Sequence, residues 1–267
     1  MIPALIVIGI LFILYLLFFL ENRRFVVTRS EIRHSKIDFT GTIVQVSDLH
    51  DLSFGKEQRR LLDAIRAAQP DQILITGDLF NRRNKNAFRN AFTFVRGAKK
   101  IAPVYFAEGN HECSLGETGE RDIEMIRQMG VVVLRNEYTD LPHYRLIGLK
   151  QYASPQQLRA MIDPERLNIV LAHRPELFPI YAGEHPDIVL SGHAHGGQIR
   201  AFRFGLYAPG QGFFPRFTAG QHWIGNTCLY VSRGLGNTIP FPRVFNTPEL
   251  NVISLQPIEQ KGEERCL

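Results

Sequence analysis

Short apolar runs alternate with amphipathic stretches between residues 40 and 190. Three of the amphipathic stretches repeat apolar residues on one helical face, and they predict helices at Lys56–Gln69, Asn86–Ala98 and Arg121–Met129. Strands that alternate with helices indicate βαβ units and a mainly parallel sheet. The apolar runs have the length of buried strands, and they are Thr42–Ser47, Gln72–Thr76, Val104–Ala107, Asn168–Ala172 and Asp187–Leu190.

The pattern changes after Gly197, where glycine, proline and aromatic residues dominate. Strand-like pieces at Cys228–Ser232 and Leu250–Leu255 predict antiparallel strands and loops that complete a second sheet. The aromatic loop, Phe202–Phe217, contains six aromatic residues and two arginines. It is either a lid packed over the second sheet or an apolar and basic surface that admits a lipid tail or touches a bilayer, where aromatic rings are favoured.

The N-terminal segment is apolar and carries no charge from Ile2 to Leu20. As a helix it would be about 28 Å long, close to the roughly 30 Å hydrocarbon core of a bilayer. No basic region precedes it and no small-residue cleavage site follows it, so we expect an uncleaved transmembrane anchor instead of a signal peptide or a packing helix. The nearby basic residues all follow the segment. The positive-inside rule therefore predicts a single-pass protein of the cell membrane with its globular domain in the cytoplasm, although an exported domain stays open.

Length and composition suit one globular domain behind this segment. The chain has 267 residues, of which 45% are hydrophobic and 21% charged. We expect an anchor at 1–21, a basic juxtamembrane linker and first strand at 22–40, the globular domain at 41–257 and a polar tail at 258–267. A net charge of +5 favours anionic partners such as phosphorylated substrates, lipid headgroups or nucleic acid.

Each predicted strand is followed by polar groups that can bind a metal. In open α/β sheets, ligands bind outside the carboxyl ends of the strands, so these groups should meet at one edge. A mixed nitrogen and oxygen set without thiolates suits Mn²⁺, Fe or Zn²⁺. In chain order the groups are Asp48 and His50, then Asp78, then Asn110, His111 and Glu112, then His173, and finally His193 and His195.

The spacing of these residues supports a common site. Asp48 and His50 are two residues apart, so in an extended chain both side chains point the same way, and the same holds for His193 and His195. Glycines beside the polar groups permit tight turns and close backbone approach. Each short motif alone is common in turns and on surfaces. The prediction rests on all five occurring in order, each after its own strand.

This order resembles the calcineurin-like metallophosphoesterase superfamily, whose pattern is D-x-H, G-D, G-N-H-[DE], H and G-H-x-H. The apolar leader, the form Gly-His-x-His-Gly-Gly-Gln and the segment Ser232–Gly236 further resemble its membrane-associated bacterial branch, transmembrane proteins with a metallophosphoesterase domain. The resemblance implies a four-layer α/β/β/α sandwich, so that 41–257 would be the metallophosphoesterase domain. It also implies two divalent metal ions, with Mn²⁺ the one most expected in vitro.

The resemblance implies a role for each candidate residue. His111 would not bind metal; it would face the phosphate and protonate the leaving group as a general acid, while Glu112 would orient its neighbours. Leu79-Phe80-Asn81 departs from relatives that often carry an acid here, and we expect that departure to affect the surroundings of the metals only. Asp48, His50 and His195 would hold one metal, Asn110, His173 and His193 the other, and Asp78 would bridge both.

With the apolar leader, the resemblance implies a phosphodiesterase or pyrophosphatase acting on a phosphorylated lipid or lipid precursor at the bilayer. Hydrolysis of UDP-2,3-diacylglucosamine is one candidate reaction. The alternatives are a nucleotide or nucleic-acid phosphodiesterase, a protein phosphatase and a non-catalytic binding scaffold. A complete ligand set argues against the scaffold, and the chain has no strong basic run with interleaved aromatics, so no specific nucleic-acid partner is expected.

Other polar residues fit no clear pattern. Arg174 follows a candidate ligand and Arg233 lies in a glycine-rich turn, and each is either a phosphate contact or an ordinary structural arginine. The remaining histidines considered are expected to be structural or solvent-facing, and they are His34, His143, His185 and His222.

Overall fold

The computed structural model of the chain describes residues 2–81, 89–238 and 241–258, with side chains from Leu5 onwards. The helices are α1 (Ile2–Glu21), α2 (Arg59–Ala68), α3 (Arg89–Ala98), α4 (Asn110–Ser114), α5 (Glu117–Gln128), α6 (Pro155–Arg159) and α7 (Phe178–Ala182). The strands are β1 (Val26–His34), β2 (Gly41–Val46), β3 (Gln72–Thr76), β4 (Val104–Ala107), β5 (Val132–Val133), β6 (Glu137–Asp140), β7 (Tyr144–Gly148), β8 (Leu167–Leu171), β9 (Ile188–Ser191), β10 (Arg200–Ala201), β11 (Phe204–Gly205), β12 (Tyr207–Ala208), β13 (Gly212–Phe213), β14 (Gly220–Ile224), β15 (Thr227–Val231) and β16 (Glu249–Pro257).

Two six-stranded sheets form the body of the fold. The first has the order β1-β16-β2-β3-β4-β5, and the second has the order β14-β15-β9-β8-β7-β6. Pairing is parallel from β2 through β5 and from β7 through β9 to β15. This confirms the mixed α/β fold that the alternating pattern predicts. Two small hairpins, β10–β11 and β12–β13, lie in the aromatic loop.

Alternation along β2 shows how the sheets are covered. Val44 and Val46 lie in a cluster with side chains of α2, α3 and α5, whereas Ile43 lies in a cluster that joins the two sheets. Successive strand residues face opposite sides of a sheet, so one strand serves both clusters. A third cluster packs α6 and α7 against the second sheet, through Leu158 and Phe178.

The predicted strands lie close to the observed ones. The predicted bounds of β3 and β4 are those of the structure, and α2 buries the predicted face, with Leu61, Leu62 and Ile65 inside. Helix α5 begins at Glu117, four residues before the predicted start at Arg121. The first residues predicted for the preceding helix, Asn86–Phe88, lie outside the described residues.

One strand prediction is wrong in its placement. Leu250–Leu255 lies within β16, which belongs to the first sheet and not to the second. Strand β16 pairs in parallel with β1 from Val26 to His34 and antiparallel with β2. Its partners are more than 200 residues away in sequence, and local pattern does not encode a pairing over that distance.

Helix α1 leads directly into the first sheet. Its described side chains are mostly exposed apolar residues, such as Leu11 and Phe12. No helix in the described part of the chain is long and apolar enough to cross a membrane, so the transmembrane anchor predicted for residues 1–21 is not confirmed.

Candidate metal centre

The carboxyl ends of five strands meet between the two sheets. Strands β2, β3 and β4 deliver residues from the first sheet, and β8 and β9 deliver residues from the second. The Nε2 atom of His50 lies 3.7 Å from Oδ1 of Asp48 and 3.8 Å from Oδ2 of Asp78. The Nε2 atom of His173 lies 3.3 Å from Asp78 Oδ2 and 3.2 Å from Asn110 Oδ1. Residues from both sheets therefore converge on Asp78.

Three overlapping groups of side chains lie close enough to hold a cation. Within each group the ligand atoms are within 4.8 Å of one another, and all the residues are buried. The first two groups share His50, and the last two share Asp78. The groups are Asp48, His50 and His195; His50, Asp78 and His111; and Asp78, His173 and His193.

The backbone at these residues is not extended, and the geometry expected from their spacing is wrong. Asp48 and His50 have φ of 52° and 49°, and His193 and His195 have φ of 65° and 45°. Asp78 also lies in the left-handed region, with φ 53°. This conformation is uncommon for residues other than glycine and costs about 1–3 kcal/mol at each position. The ligand side chains converge because tight turns follow the strands.

Hydrogen bonds fix which ring nitrogen faces the centre. Nδ1 of His50 donates to the Phe80 carbonyl at 3.3 Å, and Nδ1 of His173 donates to the Thr76 carbonyl at 2.7 Å. The Nε2 atoms are therefore left facing the carboxylates. Carbonyl partners of this kind orient histidines that bind metals. The Asp48 carboxylate is held in turn by the Ser47 hydroxyl at 2.6 Å and by the His193 N–H at 3.1 Å.

Two buried ring nitrogens test whether a cation fits this centre. Among the described residues, Nε2 of His50 and Nε2 of His193 have no hydrogen-bond partner. An unsatisfied buried polar atom costs about 1–3 kcal/mol. Both atoms lie close to carboxylate oxygens, since Nε2 of His193 is 3.8 Å from Oε1 of Glu176. Nitrogen and oxygen ligands in this arrangement fit divalent cations.

Burial and mutual charge set the protonation of the centre. Burial lowers the pKa of His50 and that of His193 to about 3, so both rings are neutral and their lone pairs are available. Burial raises the pKa of Asp48 to about 6. Burial also disfavours a charged His173, but the Asp78 carboxylate outweighs it and raises the pKa of His173 to about 10. A metal ion would compete with that proton for the same ring.

Glu112 connects two of the turns. Its carboxylate accepts from the backbone N–H groups of Gly109 at 2.7 Å, Asp78 at 2.9 Å and Phe80 at 3.0 Å. Burial and the neighbouring Asp78 raise its pKa to about 7. The expectation that Glu112 orients its neighbours matches this geometry.

The sequence did not reveal two other residues at the centre. The carboxylate of Glu176 lies beside His193, and neither of its oxygens has a hydrogen-bond partner among the described residues. The Arg243 guanidinium, 1% exposed, lies 3.0 Å from Nδ1 of His195. The position of Glu176, three residues after His173, was the available signal for the first. No local signal marks Arg243, which is 48 residues from its partner.

The two candidate phosphate contacts have protein partners. Arg233 pairs with the buried Glu249 at 2.7 Å. Arg174 lies 3.5 Å from Glu176 and 5.6 Å from the centre of the Tyr152 ring. Arg174 is therefore the one of the two beside the metal centre.

The remaining histidines make contacts of their own. Nε2 of His34 lies 3.1 Å from the Asn226 carbonyl, and His143 stacks on Phe39. His222 packs edge-on against Phe217, while His185 lies in a turn with φ 58°.

The aromatic loop is mostly exposed. Phe217 is buried and packs against Phe178 at 5.7 Å between ring centres. Phe202 is fully exposed, Phe214 is 80% exposed, and both have left-handed backbone, with φ of 55° and 54°. Phe204, Tyr207 and Phe213 are exposed as well.

Comparisons with known proteins agree with this geometry. Residues 41–197 match the family described as calcineurin-like phosphoesterase. An uncharacterized metallophosphoesterase from Campylobacter jejuni is 30% identical over 229 residues, and the match covers 80% of this chain but 59% of that relative. Phosphodiesterase YaeI from Escherichia coli is 29% identical over 200 residues, covering 70% of this chain and 71% of the relative.

A solved structure shares the fold. A candidate 5'-nucleotidase from Staphylococcus aureus, in complex with alpha-ketoglutarate, superposes with a TM-score of 0.51 at 13% identity, over 80% of this chain and 54% of that one. The chain belongs to the calcineurin-like phosphoesterase family, and it is a metal-dependent phosphoric ester hydrolase. The narrower resemblance to a membrane-associated branch stays a prediction.

Proposed function

We propose that the chain hydrolyses a phosphodiester or pyrophosphate bond with two divalent cations, Mn²⁺ being the first to test. The observation that carries the proposal is the pair of buried Nε2 atoms, on His50 and His193, that face carboxylates and have no hydrogen-bond partner in the described part of the chain. We assign Asp48, His50 and His195 to one cation, Asn110, His173 and His193 to the other, and Asp78 to both.

In this proposal, separate residues orient the metal ligands and donate a proton to the leaving group. When bound, two such cations would lower the pKa of water and neutralise charge on a phosphoryl group. The carbonyls of Phe80 and Thr76 hold His50 and His173 in the required tautomers. His111 holds the proton that its Nε2 gives to the leaving oxygen. This atom lies 3.9 Å from Oδ2 of Asp78, at the edge of the same centre.

Exposed aromatic side chains support the proposed substrate class. The rings of the aromatic loop other than Phe217 are exposed, and so are the rings of Phe241 and Phe245. Three of these rings, on Phe202, Phe214 and Phe245, sit on left-handed backbone, a conformation that is strained for bulky residues. We take these features, with the exposed apolar side chains of α1, to support a lipid or lipid-precursor substrate at a membrane surface, such as UDP-2,3-diacylglucosamine.

The first test compares bis-p-nitrophenyl phosphate with p-nitrophenyl phosphate, using the full chain with Mn²⁺ and with chelator. We expect Mn²⁺-dependent cleavage that favours the diester. Asp78→Asn should abolish it, because this carboxylate is assigned to both cations. Asp122→Asn is the matched control, since Asp122 is also a buried acid but lies in α5 outside the three metal groups. Cleavage that is unaffected by chelator would refute the proposal.

The second test addresses the substrate class. A lipid-linked diphosphate in mixed micelles should be cleaved faster than a water-soluble nucleotide diphosphate with the same reacting bond. Replacing Phe202 and Phe214 with serine should remove that preference and leave cleavage of bis-p-nitrophenyl phosphate unchanged. Equal rates on both diphosphates would exclude lipid recognition while preserving the reaction class.

A further inference from the structure

The Arg243 side chain contacts both His195 and the loop 233–236 beside the metal centre. One terminal nitrogen, Nη2, donates to Nδ1 of His195 at 3.0 Å and also to the Gly236 carbonyl. The other, Nη1, donates to the carbonyls of Arg233 at 2.6 Å and Gly234 at 3.0 Å. Because a guanidinium can only donate, Nδ1 of His195 is the acceptor, and the proton of the neutral ring lies on Nε2, 3.6 Å from Asp48. A metal bound at this nitrogen would displace that proton.

The loop that Arg243 holds supports Asp48. The N–H of Leu235 donates to the Ser47 carbonyl at 3.0 Å, and the N–H of Gly236 donates to the Asp48 carbonyl. A Cβ on Gly234 would lie 2.7 Å from Cβ of Asp48, so the loop is in direct contact with this side chain. One guanidinium therefore fixes His195 directly and Asp48 through the loop.

The backbone of Arg243 is held by the residue that follows α1. The N–H of Arg243 donates to Oδ1 of Asn22 at 2.7 Å, and Nδ2 of Asn22 donates to the Arg243 carbonyl at 3.0 Å. The same Nδ2 donates to the Phe18 carbonyl at 2.8 Å, which ties Asn22 to the last turn of the helix.

Two further contacts keep the end of α1 against this segment. The rings of Phe18 and Phe245 meet edge-on with 5.5 Å between their centres. The Thr247 hydroxyl donates to Oε1 of Glu21 at 2.8 Å. Residues 243, 245 and 247 of the segment therefore all contact the helix end.

Burying the charged guanidinium of Arg243 has a free-energy cost that its hydrogen bonds must offset. Removing a guanidinium from water costs several kcal/mol unless its donors are satisfied. Here the two terminal nitrogens donate to carbonyls and to one ring nitrogen, whereas Nε has no hydrogen-bond partner among the described residues. Groups that orient metal ligands from behind typically change metal affinity by about 10- to 100-fold when they are removed.

We propose that Arg243 is a positioning residue for the metal bound by Asp48, His50 and His195, and that Asn22 makes the end of α1 part of that support. The proposal rests on the metal assignment made above but not on any substrate. Coupling between two sites is reciprocal, so binding of this metal should also stabilise the attachment of α1.

The test is Mn²⁺ binding to the full chain after chelator treatment and dialysis, followed by calorimetry and by Mn²⁺ electron paramagnetic resonance. Arg243→Lys keeps a positive charge but cannot contact three carbonyls and His195 together. We expect it to weaken one of the two Mn²⁺ sites by about 10- to 100-fold and to leave the other nearly unchanged. Equal affinities in the variant and the parent, or equal weakening of both sites, would overturn the proposal.

Asn22→Ala is the second variant, and it keeps the guanidinium itself. It should weaken the same site by about 3- to 10-fold and increase amide hydrogen exchange near Arg243. An unchanged affinity would remove α1 from the proposal. If Arg243→Lys does not fold, as judged by circular dichroism, this variant decides the outcome.

Arg145→Gln is the matched control. Its side chain is 14% exposed and pairs with Asp140 at 2.8 Å, but it lies on β7, outside the metal groups. It should lower thermal stability without changing either Mn²⁺ affinity. Because these measurements need no turnover, loss of one site in a chain that cleaves no tested ester would support the role of Arg243 and refute the proposed function separately.

Discussion

The backbone N–H of Asp78 donates a hydrogen bond to Oε2 of Glu112 at 2.9 Å. The same oxygen accepts from the N–H of Gly109 at 2.7 Å, and Oδ1 of Asp78 accepts from the N–H of His111 at 2.8 Å. The turns after β3 and β4 are thus joined in both directions. The residue assigned to both cations is held by the turn that carries the proposed general acid.

Replacing Glu112 with glutamine should separate these turns. The amide cannot accept from all three N–H groups, and leaving a buried donor unsatisfied costs about 1–3 kcal/mol. We expect urea unfolding of the metal-free chain to show a loss in this range, together with weaker Mn²⁺ binding. Glu120→Gln removes the more exposed partner of Arg135 and should cost less than about 1 kcal/mol. Equal effects of the two substitutions would contradict the role given to Glu112.

His111→Ala should separate chemistry from metal binding. Loss of a general acid lowers kcat by about 10²- to 10⁴-fold, while the bound Mn²⁺, measured by mass spectrometry, should be unchanged. His143→Ala is the control, because His143 stacks on Phe39 away from the metal groups, and it should keep full activity. If the metal content of the His111 variant falls, His111 is a ligand, as its proximity to His50 and Asp78 would also allow.

Gly234→Ala should disturb Asp48 through simple lack of space. A Cβ at this position would lie 2.7 Å from Cβ of Asp48, and the backbone has φ of +72°. Gly220→Ala introduces similar backbone strain at φ +76°, but nothing lies within 4 Å of its Cβ. We expect both variants to lose stability and only Gly234→Ala to lose Mn²⁺ affinity. Equal Mn²⁺ affinities in the two variants would show that the loop at residue 234 can move away from Asp48.

Glu249 should contribute stability that depends on pH. Burial raises its pKa, but Arg233 outweighs burial and holds the pKa below the ordinary value of 4.5. A lowered pKa in the folded state means that this contribution is present above about pH 4.5 and is lost as the pH falls through the folded pKa.

Glu249→Gln should therefore flatten the acid side of the stability curve. We expect it to cost about 3–5 kcal/mol at neutral pH, because Arg233 loses its partner, and to reduce the further loss on acidification. Urea unfolding between neutral and acid pH measures both effects. Glu31→Gln, which removes an exposed carboxylate paired with Arg33, should leave the curve nearly unchanged. If the unfolding free energies of Glu249→Gln and of the parent chain changed in parallel with pH, Glu249 would not be the source of the pH dependence.

The sequence predicts the parts of this molecule that depend on local pattern. The bounds of β3 and β4 follow from continuous apolar runs. Each run is followed within three residues by a side chain that reaches the centre, Asp78 after β3 and Asn110 after β4. The convergence of Asp78 with His111 also follows, because β3 and β4 are neighbours and their carboxyl ends meet at one edge of the first sheet. His173 reaches Asp78 from the second sheet, which the predicted single edge did not include.

The remaining features depend on contacts between distant residues. The left-handed backbone of Asp48 is set by the turns packed around it, and spacing alone predicted an extended chain. Arg243 meets His195 across 48 residues, and β16 meets β2 across more than 200. Such pairings leave no periodic signal in the sequence near either partner.

The position of β16 has a consequence for synthesis of the chain. Strand β16 lies between β1 and β2, so the first strand to leave the ribosome has no neighbour until residues 249–257 have been made. Until then β1 presents unpaired backbone edges, and so does β2 on one side, which favours pairing with other chains. The first sheet is therefore completed only when β16 has been made. Nascent chains that stall before β16 would be expected to need chaperone protection.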